Sequence, residues 1–319
     1  MLMPLLAVIA GLIVLVWSAD KFVLGAAATA RHLGMSPMLV GLTIVSIGTS
    51  APELFVSAVA TLDGVGNLAI GNALGSNIAN IALVLGITAL VSPIPLQQKL
   101  LRKELPLLLL VSVLACLTLI DGTLGLIDAV LLLIGLVVTL YLLFQESSEA
   151  GEPIVDEDEA AAIESTSTPV AIMWLVIGLI ALMASSKALV WGATDIARGF
   201  GVSELIIGLT IVAIGTSLPE LAASVASALK GHHEIAIGNV IGSNLFNLLA
   251  VMPVPGLIAT LDIEPTAIHR DVPVMLALTL LLFILFLVNK GSGTLGRRSG
   301  TALCASFLIY LTYLATSAI

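Results

Sequence analysis

Apolar stretches of helix length, parted by short polar or glycine- and proline-bearing segments, recur from one end of this chain to the other. They fall at about 3–30, 37–62, 68–92, 104–120, 126–144, 169–197, 204–229, 235–260, 272–289 and 301–317. An α-helix rises 1.5 Å per residue, so ~20 residues cross the roughly 30 Å of bilayer hydrocarbon. Period-two alternation over short segments, the mark of a transmembrane barrel, is absent. The pattern predicts an all-α polytopic membrane protein of ten transmembrane helices.

Composition agrees. Of the 319 residues, 59% are hydrophobic and 10% charged, against roughly 25% charged in soluble domains. The net charge of −9 opposes nucleic-acid binding, and the lipid bilayer is the expected surrounding. Much of that charge lies in "QESSEAGEPIVDEDEAAAIESTSTP", residues 145–169, which reads as a mobile hydrophilic linker. An acidic loop can gather cations, but a solvated connector is the preferred reading and no site is assigned there. Cys116 and Cys304 each sit in an apolar run without metal-ligand spacing, which argues against a disulfide framework or a zinc site. The opening "MLMPLLAVIAGLIVLVW" has the apolar core of a signal peptide, yet no basic residue precedes it, and it has a counterpart further along the chain.

That counterpart belongs to a repeat. Setting residue n against n+167 aligns "SPMLVGLTIVSIGTSAPELFVSAVATLDGVGNLAIGNALGSNIANIAL" with "SELIIGLTIVAIGTSLPELAASVASALKGHHEIAIGNVIGSNLFNLLA" without a gap, about half the positions being identical. The register also pairs Gly25 with Gly192, Arg31 with Arg198, and "KELP" at 103–106 with "RDVP" at 270–273. The chain divides into a first five-span repeat (1–144), an acidic linker (145–168) and a second five-span repeat (169–319). Five is odd, so the second copy enters the membrane from the opposite side and the two are inverted. Inverted repeats with interrupted helices and a midplane site are the architecture of many secondary transporters. Basic residues set the orientation: Arg31, Lys99, Arg102, Lys103, Lys230, Lys290, Arg297 and Arg298 gather on one side, with mainly Arg198 and Arg270 on the other. The first side is read as cytoplasmic, which places the linker inside and both termini outside, in a prokaryotic plasma (inner) membrane.

Within the oily second and seventh spans stand Gly48-Thr49-Ser50-Ala51-Pro52-Glu53 and Gly215-Thr216-Ser217-Leu218-Pro219-Glu220. Proline has no N–H for the carbonyl four residues back, so Pro52 and Pro219 free the carbonyls of Gly48 and Gly215. In hydrocarbon those oxygens need protein, water or a cation as partner. Ser50-x-x-Glu53 and Ser217-x-x-Glu220 also match a capping box, a structural explanation compatible with cation binding. A glutamate near the bilayer centre still costs on the order of 3 kcal/mol on insertion scales.

The third and eighth spans each carry a polar stripe. At about 100° per residue, Asn72, Ser76, Asn77 and Asn80 share one arc, as do Asn239, Ser243, Asn244 and Asn247. Gly71 and Gly75, and Gly238 and Gly242, sit beside the stripes and permit close helix approach. Interhelical hydrogen bonding is the plain alternative for any single asparagine. Two carboxylates with hydroxyls, amides and freed carbonyls, and no His or Cys ligand, suit hard cations such as Ca²⁺, Mg²⁺ or Na⁺. The candidate metal ligands are Glu53, Glu220, Thr49, Thr216, Ser50, Ser217, Ser76, Ser243, Asn80, Asn247, Asn72 and Asn239. Two glutamates give a charge of −2 that one Ca²⁺ neutralises. Empty and sealed from water they would repel each other, so the site is expected to cross only when loaded.

At "GTSAPE" with "GNALGSN", and "GTSLPE" with "GNVIGSN", the chain resembles the calcium/cation antiporter superfamily, in particular its prokaryotic sodium/calcium exchanger branch. The resemblance covers nearly the whole chain. It implies Ca²⁺/Na⁺ antiport, with Glu53 and Glu220 at the Ca²⁺ site, backbone carbonyls from Thr49 and Thr216, and Na⁺ ligands from Ser50, Ser76, Ser217 and Ser243. It also implies that the first and sixth helices slide across the core to change access. Several members carry aspartate where this chain has Asn247, so both stripes here end in asparagine and Ca²⁺/H⁺ exchange is the alternative.

Elsewhere the repeat sets Asp20 opposite Lys187, for which snorkelling of Lys187 to the interface is preferred to an ion pair between the two helices. Asp195, opposite Ala28, reads as solvent-facing. No P-loop GxxxxGK[ST] occurs, so no ATP and no cofactor is expected, and Ca²⁺ and a monovalent cation are the partners. A gated channel would not need two inverted copies of one site. His32, His232, His233 and His269 lie near loops, which argues against a metal-dependent intramembrane hydrolase, and no enzyme activity is expected. The sequence sets no oligomeric state, and a monomer is compatible with it.

Overall fold

The computed structural model describes residues 2–98, 100–145, 157–201, 211, 213–289 and 293–317, which are almost wholly helical. Helix α1 is Leu2–Leu33. Helices α2 (Pro37–Thr49) and α3 (Ala51–Leu62) meet at Ser50 with a bend of 41°. Then come α4 (Gly66–Val91), α5 (Leu105–Leu117), α6 (Leu126–Gln145) and the short α7 (Glu157–Ser165). Helix α8 is Thr168–Gly199, and α9 (Ala213–Thr216) meets α10 (Leu218–Leu229) at Ser217. Helices α11 (His233–Ile258), α12 (Ala267–Val288) and α13 (Arg297–Ser317) complete the order.

Among the described residues seven helices are long and apolar enough to cross a membrane, or eight if the bent α2–α3 pair is one span. Two of the ten expected spans fall short of that measure for different reasons. The expected 104–120 span lies on α5, only 13 residues long, behind a turn bearing Arg102, Lys103 and Glu104. The expected 204–229 span lies partly outside the described residues, as do Lys99 and Lys290. Outward faces carry Leu2, Ile13, Ile127, Val137, Leu308 and Ile309, all exposed. Such a surface suits hydrocarbon and would be an aggregation patch in water.

The core forms where α4 and α11, the two most buried spans, lie against α5 and α12. The linker differs from expectation over its second half. Residues 157–165 are helical because "EAAAIES" carries good helix formers, and α7 is fastened to the end of α1. Ile163 is buried there, Arg31 pairs with Glu164 at 2.8 Å, and a ring nitrogen of His32 lies 2.7 Å from the Thr166 carbonyl oxygen. Residues 146–156 of the linker lie outside the described residues.

Packing repeats itself with the sequence register. Helices α1 and α8 cross so closely that a Cβ on Gly25 would lie 2.4 Å from Leu175 N, and one on Gly192 2.9 Å from Val8 Cγ2. A Cβ on Gly178 would lie 2.7 Å from Phe22 N, and one on Gly11 3.2 Å from Leu189 Cγ. These are two reciprocal pairs under the 167-residue offset. Short antiparallel strands pair between the halves in a like manner, although β4 follows β2 by 171 residues and not 167: β1 (Ile94–Pro95) pairs with β4 (Thr294–Leu295), and β2 (Thr123–Leu124) with β3 (Leu261–Asp262).

Helix α11 meets α2 through Gly238 and Gly242. A Cβ on Gly242 would sit 2.5 Å from both the Leu42 carbonyl oxygen and Ser46 Oγ. Overpacking of this kind costs about 1–3 kcal/mol. Gly242→Ala is therefore expected to lower the Tm of the purified protein in detergent by several degrees. Gly296→Ala, whose Cβ meets nothing nearer than 4.0 Å, should leave it unchanged; equal Tm values for the two variants would refute the close packing.

Candidate cation site

The site begins at two matched breaks. Ser50 stands at φ −87°, ψ 3° and Ser217 at φ −92°, ψ 5°, each just before a helix that opens with proline in its first turn. Proline sets the break, because its ring tolerates a helix only in the first turn, where no N–H is needed. Neither serine caps the helix that follows. The capping box therefore does not account for these residues. Ser50 Oγ instead reaches across to the other half and donates to Glu220 Oε1 at 3.5 Å.

Glu53 and Glu220 fall in the first turns of α3 and α10 and are 2% and 1% exposed. Carboxylates are favoured there by the positive end of the helix dipole. The two are close enough to repel one another. Among the described residues no ion pair reaches either glutamate.

Helix α11 brings its stripe to the same place. Thr49 Oγ1 donates to Asn239 Oδ1 at 3.1 Å and lies 3.4 Å from Ser243 Oγ. Asn239 Nδ2 donates to the Glu220 carbonyl oxygen at 3.3 Å and to Ser224 Oγ at 2.9 Å. Thr49, Ser50, Glu53, Glu220, Asn239 and Ser243, drawn from both halves, thus converge. Ser76, Asn80, Ser217 and Asn247 are also buried, whereas Asn72 and Thr216 are half-buried.

Many of the buried polar atoms without a hydrogen-bond partner lie on these residues and on Asn244 next to Ser243. They include Glu53 Oε2, Glu220 Oε2, Ser217 Oγ, and both amide atoms of Asn80, Asn244 and Asn247. Each such atom costs about 1–3 kcal/mol if left alone, so the cluster is built for a guest that supplies partners. Asn80 and Asn247 each open a π-helical turn, Asn80–Val84 and Asn247–Val251. Widened turns of this sort occur often at functional sites.

Among the described residues no group of three His, Cys, Asp or Glu could hold a metal. The donors are two carboxylates with hydroxyls, amides and backbone carbonyls, a set matched to hard cations. Sequence reading missed Ser57 and Ser224. Ser57 Oγ donates to the Val251 carbonyl oxygen at 3.1 Å, and Ser224 takes the Asn239 amide. The available signal was a serine four residues after each glutamate, one helical turn along the same face. The Asp20–Lys187 ion pair, the less favoured of the two readings, is not formed: Asp20 pairs with Lys230 at 2.8 Å and with Lys21 at 3.3 Å, while Lys187 is exposed. Asp195 is exposed, as expected.

Comparison with known proteins bears on the same chemistry. Residues 3–145 and 170–316 match the family described as sodium/calcium exchanger protein. CaxA of Alkalimonas amylolytica is 47% identical over 312 residues, covering 97% of this chain and 98% of its own. Inner membrane protein YrbG of Escherichia coli K12 is 42% identical over 320 residues, covering 98% and 97%. A solved structure of the sodium-calcium exchanger NCX_Mj, soaked with 10 mM Na⁺ and 10 mM Sr²⁺, superposes with a TM-score of 0.83 at 34% identity and covers 98% of both chains.

Proposed function

Since this chain belongs to the sodium/calcium exchanger family, an integral multi-pass membrane family of cation antiporters, we propose that it exchanges Ca²⁺ for Na⁺ by alternating access, with no cofactor. The observation that carries this reading is the meeting of Glu53 and Glu220, one from each half, with unpartnered oxygens around them. Two formal negative charges hold one Ca²⁺ or two monovalent ions, and the site crosses only when filled. The cargo ligands are Glu53, Glu220, Thr49, Thr216, Ser50, Ser217, Ser76, Ser243, Asn80, Asn247, Asn72 and Asn239.

The ten-span organisation as two inverted five-helix repeats, 1–144 and 169–319 about the linker 145–168, is part of this proposal. Reciprocal glycine contacts between α1 and α8, and reciprocal strand pairs, support it. So does a plasma-membrane location with both termini outside, for which the basic residues of the short loops argue. One copy supplies a complete site, so a monomer suffices.

A second reading, Ca²⁺/H⁺ exchange, is favoured by Asn80 and Asn247, because a site with only two carboxylates is also neutralised by two protons. Proteoliposomes separate the two. Radioactive Ca²⁺ uptake is expected when an outward Na⁺ gradient is imposed at uniform pH. Uptake that instead follows a pH gradient without Na⁺ would move the assignment to H⁺. Uptake needing no counter-ion would overturn both.

A further inference from the structure

Helices α1 and α8 pack reciprocally on each other but unequally on what surrounds them. Helix α1 lies along α10, whereas α8, its repeat counterpart, has no comparable packing on α3. The difference is visible in matched residues. Ala222 and Ala226 of α10 are part-buried against the α1 cluster, while Phe55 and Val59 of α3, their counterparts at the 167-residue offset, are 69% and 38% exposed. One flank is closed and the other is open.

An ion pair marks the closed flank. Lys230, which caps the C-terminal end of α10, places Nζ 2.8 Å from Asp20 Oδ1 on α1. The repeat counterpart of Asp20 is Lys187, and that of Lys230 is Asp63, which caps the C-terminal end of α3. Lys187 and Asp63 are both exposed, and among the described residues no ion pair reaches either. Both positions reverse their charge between the copies. A contact that joins acid to base in one arrangement therefore joins base to acid in its mirror image.

The geometry points to two mutually exclusive latches: Asp20–Lys230 holds the arrangement seen here, and Lys187–Asp63 closes when the α1–α8 pair moves to the mirror position and opens the site to the other side. The inference rests on the alternating-access reading above. The glycine contacts let α1 and α8 travel together, so releasing one latch and closing the other is a single motion. Asp20 is not stranded on release, because Lys21 stays beside it, held over the Trp174 ring at 5.5 Å. The counterparts of Lys21 and Trp174 are Ala188 and Ala7, so Lys187 has no such companion and stays exposed between closures. On the orientation proposed above, the closed flank is cytoplasmic.

Disulfide trapping tests this without following any ion. In a Cys116→Ala/Cys304→Ala background, a protease site in the linker makes a cross-link between the halves readable on a non-reducing gel. Asp20→Cys/Lys230→Cys should link, and so should Asp63→Cys/Lys187→Cys, although the latter two residues are unpaired here. Asp63→Cys/Lys230→Cys, which also spans the halves but joins the ends of α3 and α10 on opposite sides of the membrane, should not. Adding Asp20→Asn to the Asp63→Cys/Lys187→Cys protein should speed linking about threefold, the effect of losing a part-exposed ion pair. A protein that links 20 to 230 but never 63 to 187, or whose linking rate ignores Asp20→Asn, would overturn the latches. Failure of Ca²⁺ exchange would leave the cross-linking result untouched and fall on the proposed cargo alone.

Discussion

Glu53→Gln and Glu220→Gln are each expected to lower Ca²⁺ exchange by about 100-fold or more while leaving the protein folded. Glutamine keeps the size of the side chain and one acceptor oxygen, but the site falls from two negative charges to one. Breaking a buried charge pair by removing one partner costs about 3–5 kcal/mol, and each 1.4 kcal/mol is tenfold. Here the partner is the divalent ion, so the cost falls on its binding. Stability without Ca²⁺ should move the other way. Glu53 and Glu220 are both buried in the same cluster with one oxygen each lacking a partner, and neutralising either relieves their repulsion. Two measurements check this together: flux in proteoliposomes, and Tm in detergent with and without Ca²⁺. Wild-type protein should gain Tm with Ca²⁺ because binding favours the folded state. Both variants should lose that gain while exceeding wild type in its absence. Undiminished flux in either would remove the glutamates from the site.

The sequence made the carboxylates legible because lipid leaves few reasons to keep a glutamate and a proline in one span, and because the same reasons appear 167 residues on. Periodicity gave the stripes of α4 and α11, since a polar residue every three or four positions in an oily helix must face protein. What it could not give was which groups cross between halves. Ser50 reads as a cap from its spacing, yet its hydroxyl goes to Glu220, because the break turns the serine out of the helix that follows. Asn72 and Asn239 occupy equivalent positions, but only Asn239 is fully buried and tied to Glu220 and Ser224. That inequality comes from the packing of the two halves, which a repeat read as perfect symmetry cannot contain. The partner of Asp20 was missed for the same reason: alignment points to the residue in the same place of the other copy, whereas the contact runs to the end of a different helix. The helical half of the linker was hidden by its charge, although Ile163 in "EAAAIES" was an apolar residue that could dock.

On the proposed exchange of one Ca²⁺ for two monovalent ions, Asn247→Asp is expected to turn an electroneutral exchanger into one that answers to membrane potential. Asn247 is fully buried, opens the π-helical turn of α11, and has both amide atoms unpartnered, as does Asn80 in the other half. Aspartate has nearly the same shape, so the substitution changes charge more than packing. With two carboxylates, one Ca²⁺ outward and two monovalent ions inward each bring the site to zero, and a full cycle moves no net charge. With three, a third monovalent ion is needed for neutrality on the return leg, while Ca²⁺ crosses with one negative charge left over. One net charge then moves per cycle, and about 100 mV acting on it is worth about 2.3 kcal/mol, or roughly fifty-fold in the Ca²⁺ gradient that can be sustained. The measurement is the steady Ca²⁺ ratio across proteoliposomes whose potential is set by a K⁺ gradient and an ionophore, at fixed Na⁺ and pH. Wild-type protein should hold the same ratio at every potential, and Asn247→Asp a ratio that shifts about fifty-fold per ~100 mV. A wild-type ratio that tracks the potential would mean that the two glutamates are not the whole charge of the site, and the pairing of one divalent with two monovalent ions would fall with it.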